Sequence, residues 1–175
     1  LAVRKVKASI EKRLEFRGEE IFRRHTSFVA RSIDFYRKFR TEGFEDVGDF
    51  DVLAYWPDHN LLAAVECKYN RPAYTMKDGR RIRDKIFGRQ DDDKGQIGKV
   101  LRRGAFLKQH RTRLLELLGW PNPANVPGRY VELYVSRDIY YWMVHPPYPV
   151  PTRFVRVSAL DSWLKNDLFT VAGLP

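Results

Sequence analysis

Apolar residues recur every three to four positions through residues 8–30, which is the spacing of the buried face of a helix. This face comprises Ile10, Leu14, Gly18, Ile21, Phe22, His25, Phe28 and Val29. We therefore predict a first helix over 8–30. Residues 32–48 then predict a strand that runs into a loop at Gly43 and Gly48.

Two apolar segments, 49–56 and 61–69, follow with only a short polar stretch between them. That stretch, PDHN, places Pro and Asn where turns favour them, so 49–69 predicts a β-hairpin. Its second strand is apolar except for Glu66 and Lys68 near its end. Because successive side chains of a strand point to opposite faces, Glu66 and Lys68 are expected to share one face.

The second half of the chain predicts one long helix, further strands and a short final helix. The long helix runs from about Lys94 to Leu118, and its acidic start, DDDK, suits the positive end of a helix dipole. Strands are predicted at 129–136, at 139–144 and at FVRVSAL, and a short helix at DSWLKNDLF. The basic stretch over 70–90 predicts no single element. This order of elements predicts a layered α/β or α+β protein.

The net charge changes the expected partner. The chain carries 32 Lys and Arg residues against 22 Asp and Glu residues, a formal net charge of +10. A charge of this sign and size favours a polyanionic partner, chiefly nucleic acid. No apolar run reaches the roughly 18–20 residues of a membrane span, so a membrane partner is not expected.

Length and termini set the expected organisation. With 175 residues the chain is expected to form a single domain over 1–175. It begins without Met or a secretory signal, so we expect a fragment of a longer protein. The single cysteine, Cys67, cannot form an internal disulfide, and a cytoplasmic location is therefore expected.

Candidate chemistry lies in the predicted hairpin, where Asp51 on the first strand can approach Glu66 and Lys68 on the second. Two carboxylates offer oxygen ligands of the kind that Mg²⁺ prefers. A lysine beside them can hold a water molecule and offset charge that develops on a phosphate. Asp49 is an alternative to Asp51, and a surface ion pair is the alternative to a metal site.

These residues belong to a longer pattern. The segment GDFDVLAYWPDHNLLAAVECK resembles the core of the PD-(D/E)XK nuclease superfamily, which includes restriction endonucleases, archaeal Holliday-junction resolvases and many repair nucleases. The match consists of Gly48, Asp51 with two apolar residues after it, and the Glu66-Cys67-Lys68 run. Phe50 stands where the superfamily usually has Pro.

The resemblance implies an α/β, restriction-endonuclease-like fold of three layers, with a central mixed sheet between helices. It also implies catalytic roles for Asp51, Glu66 and Lys68. Mg²⁺ is the expected cofactor, with Mn²⁺ as a substitute, and its ligands would be Asp51, Glu66 and the backbone carbonyl of Cys67.

Two further polar positions follow from the resemblance. Superfamily members often carry an acidic residue on the first helix, for which we choose Glu15, with Glu11 as the alternative. The helix after the Glu-x-Lys run often supplies a polar residue, here Gln96 or Lys99, and we choose Gln96. Asp91 to Asp93 are interpreted as the acidic N-terminus of that helix, and the four histidines show no zinc-ligand spacing.

Basic residues that directly follow the predicted active strand are candidates for contacts with the phosphate backbone. They are Lys77, Arg80, Arg81, Arg83, Lys85 and Arg89. A weaker second set lies on the long helix: Arg102, Arg103, Lys108, Arg111 and Arg113. The aromatic residues Tyr130, Tyr134, Tyr140, Tyr141 and Trp142 are expected to pack in the core rather than to stack on bases.

The sequence thus predicts a Mg²⁺-dependent deoxyribonuclease that hydrolyses phosphodiester bonds, as a homodimer or joined to further domains. The first alternative is a catalytically inactive nucleic-acid-binding module of the same fold. A weaker one is a protein-interaction domain whose basic surface binds an acidic partner.

Overall fold

A mixed sheet of five strands organises the computed structural model, which describes residues 2–89 and 95–174 and side chains from residue 6 onward. The strands lie side by side in chain order. The first three strands pair antiparallel in succession, whereas the third, fourth and fifth run parallel to one another. They are β1 (Phe28–Ile33), β2 (Phe50–Trp56), β3 (Leu61–Lys68), β4 (Arg129–Ser136) and β5 (Arg153–Arg156).

Helices connect the strands and cover the sheet. A parallel partner for β3 requires a crossover connection, and three helices make it. The helices of the described ranges are α1 (Ala2–Phe22), α2 (Phe35–Lys38), α3 (Met76–Phe87), α4 (Gly95–Gln109), α5 (Arg111–Leu117), α6 (Tyr141–Val144), α7 (Leu160–Asn166) and α8 (Leu168–Val171). The crossover from β3 to β4 is therefore formed by α3, α4 and α5.

Both faces of the sheet are buried, which explains why β2 and β3 are apolar along nearly their whole length. On β2, Val52 and Ala54 pack in one cluster with α1, α7 and α8. Leu53 and Tyr55 point to the opposite face and pack with α2, α4 and α5. A third cluster joins α3 and α6 to β4 through Tyr134. The chain is thus an α/β protein whose five-stranded mixed sheet is flanked by helices, as predicted at that level.

The predicted hairpin over 49–69 is confirmed. β2 and β3 pair antiparallel with Val52 opposite Val65 and Trp56 opposite Leu61. The turn between them ends at Asn60, whose φ of 43° is left-handed, a conformation that Asn tolerates. The buried hydroxyl of Tyr55 donates to the Asn60 Oδ1 at 3.0 Å and helps to fix the turn.

The predicted first helix over 8–30 is wrong at its C-terminal end, because α1 ends at Phe22 and Phe28 begins β1. The Thr26 hydroxyl accepts from the amide of Phe28 at 3.2 Å, a local bond that competes with helix continuation. The predicted strand in 32–48 is also wrong beyond Ile33. There, Asp34 caps the short helix α2 by accepting from the amide of Arg37 at 3.0 Å.

Three predictions in the second half need correction. The long helix is broken at His110 into α4 and α5, and its predicted start at Lys94 lies outside the described residues. Residues 139–144 contain the short helix α6 rather than a strand, in a segment where the rings of Tyr140 and Trp142 stack at 5.0 Å. The last strand stops at Arg156, before the end of FVRVSAL.

Among the helices of the described ranges, none combines the length and the apolar character that crossing a bilayer requires. The basic stretch, for which no element was predicted, forms most of α3. Thr75 caps that helix by accepting from the amide of Asp78 at 3.1 Å.

Two helical glycines differ in the space around them and allow a matched test of this packing. A Cβ on Gly104 of α4 would lie 2.5 Å from the Glu132 Oε2 and 2.9 Å from the Tyr130 hydroxyl. A Cβ on Gly18 of α1 would meet the Cys67 Sγ at 3.5 Å and the Val52 Cγ2 at 3.8 Å, both ordinary contacts.

Gly104→Ala should therefore lower the free energy of unfolding by about 1–3 kcal/mol, the usual cost of overpacking. Gly18→Ala should be neutral or stabilising by up to about 1 kcal/mol, because alanine favours a helix. Urea unfolding of both variants beside wild type measures the difference. Equal effects of the two substitutions would contradict the close approach of α4 to β4.

Candidate active site

The start of β2 and the end of β3 place three charged side chains together. Asp51 is the second residue of β2, and Glu66 and Lys68 are among the last three residues of β3. The antiparallel register stops at Val52 opposite Val65, so Asp51 and Glu66 come next to each other just beyond the paired region. Asp51 alternates with Val52, and therefore shares the face of Leu53 and Tyr55.

The ammonium of Lys68 joins the two carboxylates. Its Nζ lies 3.0 Å from the Asp51 Oδ2 and 2.8 Å from the Glu66 Oε1. Asp51 is 4% exposed and Glu66 is 7% exposed, so both carboxylates are largely removed from water. The structure thus brings together the three residues that the sequence pattern singled out.

Cys67 contributes its backbone to the same arrangement. Its amide donates to the Asp51 Oδ2 at 2.7 Å. The amide and carbonyl of an extended residue point to the same side of the strand, so the Cys67 carbonyl also faces the β2 side. The thiol points the other way and is fully buried against α1 near Gly18. Burial, followed by the Asp51 carboxylate, raises the pKa of the thiol well above its usual value.

Arg103 of α4 is the second cation of the site. Its Nη1 donates to the Glu66 Oε2, and its Nε donates to the carbonyl of Val47 at 3.1 Å. The guanidinium also lies 5.9 Å from the centre of the Phe50 ring. Gly48, at φ 81°, lets the loop before β2 pass close to it, since an added Cβ would lie 3.2 Å from Nη2.

These neighbours shift the protonation of Asp51 and Lys68. Burial and then the Glu66 carboxylate raise the pKa of Asp51 to about 7, against the opposing effect of Lys68. Burial alone would lower the pKa of the Lys68 ammonium, but Glu66 and Asp51 outweigh it and raise that pKa. The two carboxylates thus favour the charged form of Lys68, whereas burial favours the neutral form of Asp51.

The donor set suits a hard cation that keeps several waters. Both hydrogen bonds to Asp51 from the described residues end on Oδ2, which leaves Oδ1 as an unused carboxylate oxygen. Burial first, and then repulsion from the Glu66 carboxylate, raises the pKa of Asp51, and a cation between the carboxylates would relieve that repulsion. Within 2–89 and 95–174, no three His, Cys, Asp or Glu side chains cluster as metal ligands. Two carboxylates, water and a carbonyl would have to suffice, as they can for Mg²⁺.

A second group of hydrogen-bonded side chains is centred on β4, next to this site. Tyr134, which pairs with Glu66 in the parallel register, is fully buried and donates from its hydroxyl to the Gln96 Oε1 at 2.8 Å. Asn70 donates to the same hydroxyl at 3.2 Å. The Asn70 Oδ1 is buried and accepts no hydrogen bond from the described residues. Gln96 is thus bonded to a neighbour of Glu66 but, among the described residues, not to Glu66 itself, and its catalytic role remains a prediction.

The acidic residues of α1 lie at the margin of the site. Glu15, the residue chosen from the sequence, accepts from the Ser32 hydroxyl at 3.1 Å at the β1 edge. No hydrogen bond or ion pair among the described residues joins Glu15 to Asp51, Glu66 or Lys68. Glu11, the alternative, pairs with Lys7 at 3.3 Å. Its charge opposes the lowering of the Lys85 pKa, which burial and Lys7 cause, so Glu11 faces α3.

The two aspartates proposed as alternatives for the first strand differ in burial and in contacts. Asp49, the alternative to Asp51, is exposed and precedes β2, whereas Asp51 is buried and bonded to Lys68. Asp91 to Asp93 lie outside the described residues.

The six basic residues predicted for phosphate contact are all exposed, and five of them lie on α3. Their roles remain predictions. In the second basic set, Arg103 and Arg111 are partly buried, whereas Arg102, Lys108 and Arg113 are exposed. Arg103 bonds Glu66, Arg111 donates to the backbone carbonyl of Arg129 at 2.9 Å, and Arg113 pairs with Glu42 at 2.6 Å.

The sequence reasoning put Arg103 among exposed phosphate contacts and missed its contact with Glu66. The sequence does contain a pattern that places Arg103 near the site. Arg103 follows Gln96 by seven positions, and residues at this spacing share a helix face. A helix that brings Gln96 to the site therefore also brings Arg103.

We compared the chain with known proteins. No protein-family model, no curated protein and no solved structure matches the chain.

Arg103 and its neighbour Arg102 provide a matched pair of substitutions on α4. The Arg103 side chain is 13% exposed and bonded to Glu66, whereas Arg102 is exposed. Arg103→Met should lower the free energy of unfolding by about 1–3 kcal/mol, because it leaves one oxygen of a buried carboxylate without its partner. Arg102→Met should change it by less than about 0.5 kcal/mol. Urea unfolding in EDTA checks both, and similar values for the two variants would contradict a stabilising Arg103–Glu66 pair.

Proposed function

We propose that the protein is a metal-dependent nuclease of the PD-(D/E)XK type that hydrolyses phosphodiester bonds in DNA. One observation carries the proposal: two buried carboxylates, from Asp51 and Glu66, converge on one lysine amine at adjoining strand ends. A surface ion pair would need neither the second carboxylate nor the burial of both. The net charge of +10 suits a polyanionic substrate.

The residues that would hold Mg²⁺, or Mn²⁺ in its place, are Asp51, Glu66 and the Cys67 carbonyl. Such an ion polarises a phosphodiester and lowers the pKa of a bound water. The amide of Cys67 bonds the Asp51 Oδ2 at 2.7 Å, which orients that carboxylate and keeps Oδ1 turned away from the amide.

Lys68 supplies a fixed positive charge at the place where negative charge would develop on the phosphate. Against the effect of burial, Glu66 and Asp51 raise its pKa, and as an ammonium it would act by electrostatic stabilisation or by donating a hydrogen bond to the attacking water. Arg103 acts through Glu66: by bonding Oε2 it fixes the orientation of the carboxylate and offsets its charge.

The order of elements supports the same proposal. A helix, three antiparallel strands, a helical crossover and a parallel strand follow the order that the resemblance implies. We take the fold to be restriction-endonuclease-like on this basis, with the carboxylates on the central β2 and β3.

A second candidate function rests on the contacts of Glu66. Both of its oxygens are bonded by cations, Lys68 on Oε1 and Arg103 on Oε2. If these bonds are too strong for a metal to displace, the same fold would be a nucleic-acid-binding module without catalysis.

Three substitutions distinguish the nuclease from the binding module, because each removes a different part of the proposed site. Asp51→Asn and Glu66→Gln remove negative oxygen ligands, so Mg²⁺ binding and DNA cleavage should both be lost. Lys68→Met leaves both carboxylates, so metal binding should persist while the cleavage rate falls by about 10²-fold or more. Calorimetric titration with Mg²⁺ and Mn²⁺, beside cleavage of plasmid, linear and single-stranded DNA, measures both properties.

Asp49→Asn is the matched control, because it removes a nearby but exposed carboxylate; it should bind metal and cleave like wild type. Cleavage by Glu66→Gln at the wild-type rate would place the chemistry elsewhere. Wild-type protein that binds DNA but neither binds metal nor cleaves any of these substrates would favour the binding module.

A further inference from the structure

A large groove adjoins the candidate active site and is not used by the three charged residues. It has a volume of about 1140 Å³ and lies between the N-terminal half of α1, the loop after β3 and α3. This exceeds the roughly 300–1,000 Å³ of most small-molecule pockets, so the groove has room for an extended ligand.

The groove combines an apolar surface with a basic rim. Val6, Ile10 and Ile82 supply apolar surface, and the ring of Tyr74 is 85% exposed at its edge. Five basic side chains line it against two acidic ones. One of those two, Asp84, already pairs with Arg83 at 3.0 Å. The basic residues are Lys7, Arg71, Arg81, Lys85 and Arg89.

The inner end of the groove lies next to the candidate active site. Tyr69 and Asn70, which line its inner end, follow Lys68 in the chain. Burial and then Lys7 lower the pKa of Lys85, and the charge of Lys68 makes a smaller contribution in the same direction. The ammonium groups of Lys68 and Lys85 are therefore close enough to interact electrostatically. A polyanion that follows the basic rim would therefore bring its backbone to Lys68.

We infer that this groove binds a single-stranded segment of DNA, with unstacked bases on its apolar surface and phosphates on its basic rim. The inference rests on the proposed function and names its substrate class. In a duplex the bases are stacked inside the helix, so the basic rim could still bind phosphates but the apolar surface would meet no base face. A single strand exposes base faces that can stack on aromatic and apolar side chains.

The residues of α3 divide into members of the groove and matched controls. Arg81 and Lys85 line the groove, whereas Arg80 and Arg83, which the sequence also predicts as phosphate contacts, are exposed on the same helix outside it. Phosphate contact on α3 is therefore assigned to Arg81 and Lys85 and not to Arg80 and Arg83. Tyr74 lines the groove, and Tyr141, 74% exposed, lies outside it.

The test is binding of a fluorescent single-stranded oligonucleotide and of the same sequence as a duplex, by anisotropy in EDTA across a salt series. The single strand should bind at least about tenfold more tightly than the duplex, which corresponds to stacking of about one base. Tyr74→Ala should weaken single-strand binding by about fivefold or more at every salt concentration. Arg81→Ala with Lys85→Ala should weaken it and lower the salt slope.

Arg80→Ala with Arg83→Ala, and Tyr141→Ala, should change single-strand binding much less than their groove counterparts. Equal or tighter binding of the duplex would overturn the inference, as would equal losses in the groove and control variants. Because binding is measured without divalent metal, these outcomes do not depend on cleavage. Metal-dependent cleavage with duplex preference would reject the inference alone, whereas single-strand preference without metal binding would reject the nuclease alone.

Discussion

The burial of two carboxylates beside each other is the constraint on which the described site depends. Asp51 and Glu66 are each less than one-tenth exposed, and carboxylates so placed repel each other and lose hydration. Lys68 bridges them and Arg103 holds the free side of Glu66. Two cations thus offset two carboxylates, yet the pKa of Asp51 stays raised to about 7. A divalent cation bound there, as we propose, would offset the negative charge of both carboxylates.

The fold supplies each part of that balance from a different element. The β2–β3 register sets Asp51 beside Glu66, and the crossover helix α4 lies over them and delivers Arg103. β4 places Tyr134 beside Glu66 and links it to Gln96. The same crossover begins with α3, whose Arg81 and Lys85 line the groove. Site and groove are thus two consequences of one connection between parallel strands.

Sequence patterns predicted the parts of this arrangement that local spacing determines. The hairpin, the shared face of Glu66 and Lys68 and the approach of Asp51 all follow from alternation and a short turn. The boundaries of α1 and the helix at 141–144 could not be predicted in this way. Phe28, Val29 and the aromatic residues after Ile139 fit both the spacing of a helix and the alternation of a strand. Arg103 was misjudged because its partner, Glu66, is 37 positions away and only the packing of α4 brings them together. Glu15 and Glu11 differ by one helical turn, and tertiary packing alone decides which faces α3.

The central claim is that the unused oxygen of Asp51 and the Glu66 carboxylate form a divalent-cation site. A crystal structure of the protein grown with Mn²⁺, whose anomalous scattering locates it without ambiguity, tests this most directly. We predict an anomalous peak at about 2.1 Å from the Asp51 Oδ1 and from a Glu66 oxygen, close to the usual Mg²⁺–oxygen distance. A structure at saturating Mn²⁺ with no peak between these carboxylates, and with Lys68 and Arg103 still bonded to Glu66, would contradict it.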